Sequence, residues 1–276
     1  MLLYRTKLGP IVQVATEMYV IDIPWDSLIN HPRLSDHLFE LTGDLTSTPT
    51  AAKAVKQPLA PIGSQEVWAA GVTYFRSRTA RMEEAEEAGG GNFYDRVYAA
   101  PRPELFMKAT PHRVVGTGQA MKLRSDSKWI VPEPELVLVI NSTAEIVGYT
   151  IGNDLSCRDI EGENPLYLPQ AKTFDRCAAV GPAILVSKTP PAKETTVRLT
   201  VRRNGQAIVE DFTTLAQIKR TFEELVDYLF RDNSFPQGCL LMTGTGIVPS
   251  PDFSLQPRDE VEITIDGIGT LTNIME

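Results

Sequence analysis

VPEPELVLVI, residues 131–140, is the stretch on which the fold turns. Its apolar run, Leu136, Val137, Leu138, Val139 and Ile140, predicts a strand buried on both faces. Ahead of the run stand Glu133 and Glu135. Side chains two apart on a strand face the same way, so this spacing sets two carboxylates side by side. Such a pair repels unless a cation or a proton lies between its members. Asp154 follows in YTIGNDLSCRD, at the end of the next strand candidate, and an antiparallel pairing of the two strands brings it within reach. Three hard oxygen ligands with open positions suit Mg²⁺, with Mn²⁺ or Ca²⁺ as alternatives. No histidine is near, which weighs against zinc. On spacing alone, the competing reading is an edge strand whose glutamates face water.

The pattern continues outward as mainly β. EIVGYTIGNDLS and PAILV are further strand candidates. TVRLTVRRNGQAIVE alternates around Asn204-Gly205, and VEITIDGIGTLTNIM repeats the device around Asp266-Gly267, both strong hairpin signals. One helix is expected on the face formed by Leu215, Ile218, Phe222, Leu225 and Leu229, with Thr214 and Gln217 as its capping box. Upstream, VWAAGVTYF opens the main unit as a strand candidate, and the polar stretch after it predicts a helix ended by Gly89, Gly90 and Gly91, a candidate flap. Residues 1–60 predict a small N-terminal α+β domain of strands and short helices broken at Pro32. QPLAPIG links it to a catalytic domain over 61–276. The fold class is therefore α+β and mostly β.

With 276 residues, 42% of them hydrophobic, the chain can bury one large core, or one large and one small. A net charge of −8 argues against a nucleic-acid surface or an anionic-membrane binder. No apolar run is long enough to cross a bilayer, and MLLYRTKLGP lacks the apolar stretch of a signal peptide. Cys157, Cys177 and Cys239 are odd in number and without a CxxC pair, which fits buried thiols in a reducing cytoplasm.

Four more positions can carry chemistry. Lys172, in LPQAKTFDR, can stabilise enolate charge or move a proton beside a bound oxo acid; otherwise it is a solvated lysine. In PELFMK, Glu104 can act as a general base, or simply pair with Lys108 four residues on. LLMTGTGIVPS places Gly244 and Gly246 around Thr245, a turn able to offer N–H groups and a hydroxyl to a carboxylate.

Taken in order, PEPELVLVI, GYTIGNDLSCRDIEGENPLYLPQAKTFD, GP and LLMTGTG resemble the fumarylacetoacetate hydrolase superfamily over residues 67–276. The resemblance implies a mixed β-roll catalytic domain with a small N-terminal domain, and a divalent metal ion, Mg²⁺ or similar. It also implies Glu133, Glu135 and Asp154 as the metal ligands, Lys172 as the active-site lysine and Thr245 as a substrate-carboxylate contact. A homodimer or homotetramer acting on a small-molecule 2-oxo acid is expected. Hydrolases of the family carry a histidine shortly after the first strand, but TYFRSRTARMEE has none, and His31, His37 and His112 lie elsewhere. GENPLYLPQAK, RSRTAR and PELFMK look similar instead to a branch of sugar-acid dehydratases. That branch implies a hydro-lyase converting a 2-keto-3-deoxy sugar acid to 2,5-dioxopentanoate. In it Glu104 or Lys172 takes a C3 proton, and Arg76, Arg78, Lys108 and the region of Glu83 bind substrate. The alternative is a metal-dependent hydrolase of acylpyruvates or 2,4-diketo sugar acids.

Overall fold

The computed structural model describes residues 1–76 and 92–276, the side chains of 92–95 excepted. Its strands are β1 Leu2–Thr6, β2 Gly9–Val14, β3 Glu17–Val20, β4 Glu66–Gly71, β5 Glu104–Ala109, β6 Val114–Val115, β7 Ala120–Met121, β8 Ile130–Val131 and β9 Pro134–Ile140. They continue with β10 Ile146–Asp154, β11 Ser156–Cys157, β12 Ala178–Leu185, β13 Thr196–Arg203, β14 Gln206–Thr214, β15 Cys239–Met242, β16 Glu260–Ile265 and β17 Gly269–Met275. The helices are short: α1 Trp25–Ile29, α2 Leu34–Gly43, α3 Pro49–Ala54, α4 Asn92–Ala99, α5 Arg158–Glu163, α6 Leu168–Lys172 and α7 Phe222–Phe230. The fold is α+β and mostly β. Among the described residues no helix is long and apolar enough to cross a membrane.

The large sheet runs β3-β2-β1-β12-β10-β9-β15-β4-β5, and β6 adds to β12. A second sheet, β14-β13-β16-β17-β7, packs against it. β9 is central, and all seven of its residues are buried. Alternation explains why a continuous apolar run is needed there. Leu136, Leu138 and Ile140 enter the core shared with the second sheet, Val137 enters the cluster with Leu240 and Met242, and Val139 joins that of Leu3 and Ile184. A strand wet on one face would need only every second residue apolar.

β1 pairs with β12, so the N-terminal strands extend the sheet that carries the site. α1 and α2 are separated around Pro32 as expected. The Asn204-Gly205 turn joins β13 to β14 with φ of 52° and 79°, the left-handed pair such a two-residue turn demands. The expected helix is shorter than its apolar spacing implies. It begins at Phe222, capped by Thr221, whose Oγ1 accepts from Glu224 N at 3.1 Å. Leu215 and Gln217 instead form a 3₁₀ turn, because the chain at Ile218 and Lys219 bridges to Tyr74 and Thr73. The N-cap is therefore Thr221, seven residues or about two turns downstream of Thr214, and the Glu224 carboxylate turns to Arg220 instead of closing a box. The predicted helix with its triple glycine lies within residues 77–91, outside the described residues.

Candidate active site

β9 and β10 pair antiparallel, with Gly152 opposite Glu135 and Asn153 opposite Pro134. Asp154 N donates to Glu133 O at 3.0 Å. This register places the end of β10 beside the start of β9 and brings Glu133, Glu135 and Asp154 to one point. One oxygen of each lies within 4.8 Å of the others, and all three residues are buried. Gly152 is required by the packing: a Cβ there would stand 2.6 Å from Val137 Cγ2.

β5 approaches from the side. Its two-residue period points Glu104, Phe106 and Lys108 in one direction. Phe106 lines the cleft with Ala70, Gly71 and Val72 from β4 and its end, the three acids, Lys172, Gly244 and Thr245. Glu104 sits over Gly71, so close that a Cβ on Gly71 would lie 2.0 Å from Glu104 Oε2.

Lys172, at the end of α6, is buried with its Nζ 2.6 Å from Glu133 Oε2, 3.1 Å from Asp154 Oδ2, 2.5 Å from Ser156 Oγ and 3.4 Å from Glu161 Oε1. It stands among acceptors, as a hydrogen-bond donor. Arg158, the first residue of α5, reaches Glu133 Oε1 at 2.9 Å and Glu161 Oε2 at 3.6 Å. Gly244 N donates to Glu135 Oε2. Gly244 has φ +90°, and a Cβ on it would meet Thr73 Oγ1 at 2.0 Å, so the turn depends on glycine in two ways.

The electrostatics favour a cation. The carboxyl of Glu135 is held well above its ordinary range by burial first, then by the negative charges of Asp154 and Glu133. Asp154 Oδ1 is buried with no directed hydrogen bond to it, although the Lys108 ammonium is 2.6 Å away. Four buried carboxylates, Glu133, Glu135, Asp154 and Glu161, face three cationic side chains, Lys108, Arg158 and Lys172. With all four ionised the nest is one positive charge short, a deficit that a proton on Glu135 or a bound cation closes. All-oxygen donors and mutual repulsion among buried carboxylates fit a hard divalent ion.

The structure therefore brings Glu133, Glu135, Asp154, Lys172 and Thr245 to one cleft, with Glu104 beside it against Gly71, one of the lining residues. Lys108 differs from its expected place as a substrate ligand. It is fully buried and donates to Leu155 O at 2.8 Å and Lys172 O at 2.5 Å, and its third N–H faces Asp154. An ammonium has three donors, so this one has none left for a substrate. Thr245 Oγ1 donates to Ile247 O at 3.2 Å and accepts from Ile247 N at 3.1 Å, so its hydroxyl closes the turn. Arg76 is exposed at the edge of the described chain, and Arg78 and Glu83 lie outside it. None of the three histidines lines the cleft. Sequence reasoning missed Arg158, Ser156 and Glu161. The signal was present in SCRDIEGE: Arg158 and Glu161, three apart on a helix, share the face turned to Lys172.

Comparison with known proteins agrees with this geometry. Residues 67–276 match the fumarylacetoacetate (FAA) hydrolase C-terminal family. The chain is 49% identical over 214 residues to a probable 2-keto-3-deoxyxylonate dehydratase of Haloferax volcanii, covering 77% of this chain and 73% of that one. It is 46% identical over 215 residues to the 2-dehydro-3-deoxy-D-arabinonate dehydratase of Saccharolobus solfataricus, covering 76% and 72%. The fold superposes on a 2-keto-3-deoxy-D-arabinonate dehydratase complexed with magnesium and 2,5-dioxopentanoate with a TM-score of 0.84 and 34% identity, over 100% of this chain and 99% of that one. On motif, site and fold together, the chain belongs to the fumarylacetoacetate hydrolase family.

Proposed function

We propose that this protein is a Mg²⁺-dependent hydro-lyase that converts a 2-keto-3-deoxy sugar acid, a 2-keto-3-deoxypentonate such as the D-arabinonate derivative, to 2,5-dioxopentanoate and water. The observation that carries the reading is the convergence of Glu133, Glu135 and Asp154 beside Lys172 in a cleft without histidine. The dehydratase relatives, and the solved relative holding magnesium and 2,5-dioxopentanoate, support it.

Glu133, Glu135 and Asp154 are the ligands we assign to the ion. A divalent ion there supplies Lewis acidity toward the C1 carboxylate and C2 oxo group of a 2-oxo acid, which acidifies C3. Glu104, against Gly71 at the side of the cleft, is the residue we assign to take the C3 proton. Lys172 donates toward the C2 oxygen as negative charge grows there. The electron pair then moves to form the C3–C4 double bond, the C4–O bond breaks, and the hydroxyl leaves as water with the proton that Glu104 carried. Glu104 returns as a carboxylate, and the unsaturated product tautomerises to 2,5-dioxopentanoate. Phe106 keeps one side of the reacting carbons dry. Arg76 is assigned to the hydroxyl end of the substrate, and Arg78 belongs to the same assignment.

We further assign residues 1–60 to a small N-terminal domain and 61–276 to the catalytic one, in a cytoplasmic homodimer or homotetramer. Incubating the purified protein and Mg²⁺ with a panel of 2-keto-3-deoxy and 2,4-diketo sugar acids, with products identified by mass, tests the activity. Loss of one water from the 2-keto-3-deoxypentonate, abolished by chelator, is expected. Pyruvate or another short acid as product would replace the reading with carbon–carbon cleavage.

A further inference from the structure

Lys172 has more acceptors than protons. Its three N–H bonds face Glu133, Asp154, Ser156 and Glu161, at 2.6, 3.1, 2.5 and 3.4 Å. Two of those carboxylates, Glu133 and Asp154, are the ligands assigned to the ion. Electron density given to a divalent cation is withdrawn from an ammonium hydrogen-bonded to the same group. Loading the metal thus weakens the two ion pairs that hold Lys172 and leaves the other two partners.

Glu161 is the remaining charged one. It is 2% exposed, on the face of α5 turned to α6, and it is absent from the residues lining the cleft. Its Oε1 faces Lys172, and its Oε2 lies 3.6 Å from Arg158 Nη1, which itself holds Glu133 Oε1 at 2.9 Å. A carboxylate buried this completely is costly unless it is paired. Its place behind Lys172, off the cleft wall, suits a group that acts through the lysine.

We propose that Glu161 is a positioning residue: it is the counter-ion that keeps the Lys172 ammonium aimed into the cleft once Glu133 and Asp154 are engaged by metal. The inference rests on the metal assignment above and goes beyond it. Glu161 neither ligates the ion nor touches substrate; it fixes where the donor to the C2 oxygen stands.

Two measurements test this. The first is a crystal structure of the wild-type protein with Mg²⁺. The Lys172–Glu161 separation is expected to contract from 3.4 Å to about 3 Å, hydrogen-bond length, while Lys172 leaves Glu133. Lys172 remaining on Glu133, with Glu161 no closer, would overturn the inference. The second is a double-mutant cycle of Glu161→Gln with Lys172→Met at saturating Mg²⁺. Alone, Glu161→Gln is expected to lower kcat about tenfold or more, and in the Lys172→Met background to change residual turnover by less than about twofold. Equal losses in both backgrounds would reduce Glu161 to a structural partner of Arg158 and overturn the proposal. If Glu161→Gln does not fold, the wild-type structure decides alone. A wild-type protein that binds no Mg²⁺ removes the metal assignment and this inference with it; one that binds Mg²⁺ and dehydrates, yet keeps Lys172 off Glu161, removes this inference only.

Discussion

Replacing Gly71 by alanine probes the base assignment without touching Glu104 itself. A methyl at Gly71 would lie 2.0 Å from Glu104 Oε2 and 2.7 Å from its Cδ, inside any allowed contact. The nearest atoms are the far end of a flexible side chain, so the clash is relieved by swinging the carboxylate away, with the backbone in place. Carrying Oε2 from 2.0 Å to an ordinary 3.4 Å contact displaces it by about 1.4 Å. A misplacement of about 1 Å in a reacting group costs on the order of 100-fold in rate. We expect kcat to fall about 100-fold, and thermal unfolding to shift by only a few degrees. Mg²⁺ affinity should be unchanged, because the acidic triad stands at the start of β9 and the end of β10, not on β4. The assay is steady-state dehydration coupled to an aldehyde dehydrogenase that reports the product semialdehyde. In a Glu104→Gln background, Gly71→Ala should add almost nothing, since the displaced group is already inert. Wild-type kcat in Gly71→Ala would refute the placement of the base at Glu104.

Lys172→Met should bind Mg²⁺ yet lose roughly 10³-fold or more in the chemical step, read by single-turnover kinetics; wild-type turnover would remove Lys172 from the reaction. Gly244→Ala forces a side chain into φ +90° and against Thr73 Oγ1, and should cost about 1–3 kcal/mol, seen as a lower Tm together with weaker metal binding. The raised Glu135 carboxyl gives a pH signature. The folded metal-free protein holds this proton above the pH at which the unfolded chain has lost it. Its stabilising contribution is therefore present at low pH and is lost as pH rises from about 4 upward. Mg²⁺ replaces the proton, so the Tm gained on adding Mg²⁺ should grow with pH. A metal-induced shift that is flat from acid to neutral pH would contradict the assignment of Glu135 as a ligand.

Legibility from sequence followed how local the cause was. The doubly buried β9 was readable because alternation is a local rule, and an unbroken apolar run from Leu136 to Ile140, too short for a buried helix, fits the middle of a sheet covered on both faces. Convergence of Glu133, Glu135 and Asp154 needed only the two-residue period and one antiparallel pairing. Lys108 was misread because its partners, Leu155 O, Lys172 O and Asp154, lie 46 or more residues away, and an exposed i,i+4 pair with Glu104 was the only local alternative. On a strand the pattern of Glu104, Phe106 and Lys108 is one face pointing at the site, which becomes visible only once β5 is known to be a strand. The helix start was misplaced because Leu215 and Ile218 do join the same core as Leu225. They do so from a 3₁₀ turn and a bridge to Tyr74, and apolar spacing alone does not separate those from a helix. Arg158 and Glu161 were overlooked because their i,i+3 spacing reads equally as an exposed helix pair, and only the fold shows that face turned to Lys172 and buried.

Calorimetric titration of the metal-free protein with Mg²⁺, alongside Glu133→Gln, Glu135→Gln and Asp154→Asn, tests the central claim most directly. One ion per chain is expected for the wild type, with heat and turnover lost together in each of the three variants. Binding that survives in all three, or a wild-type protein that dehydrates its substrate with no ion bound, would contradict the account.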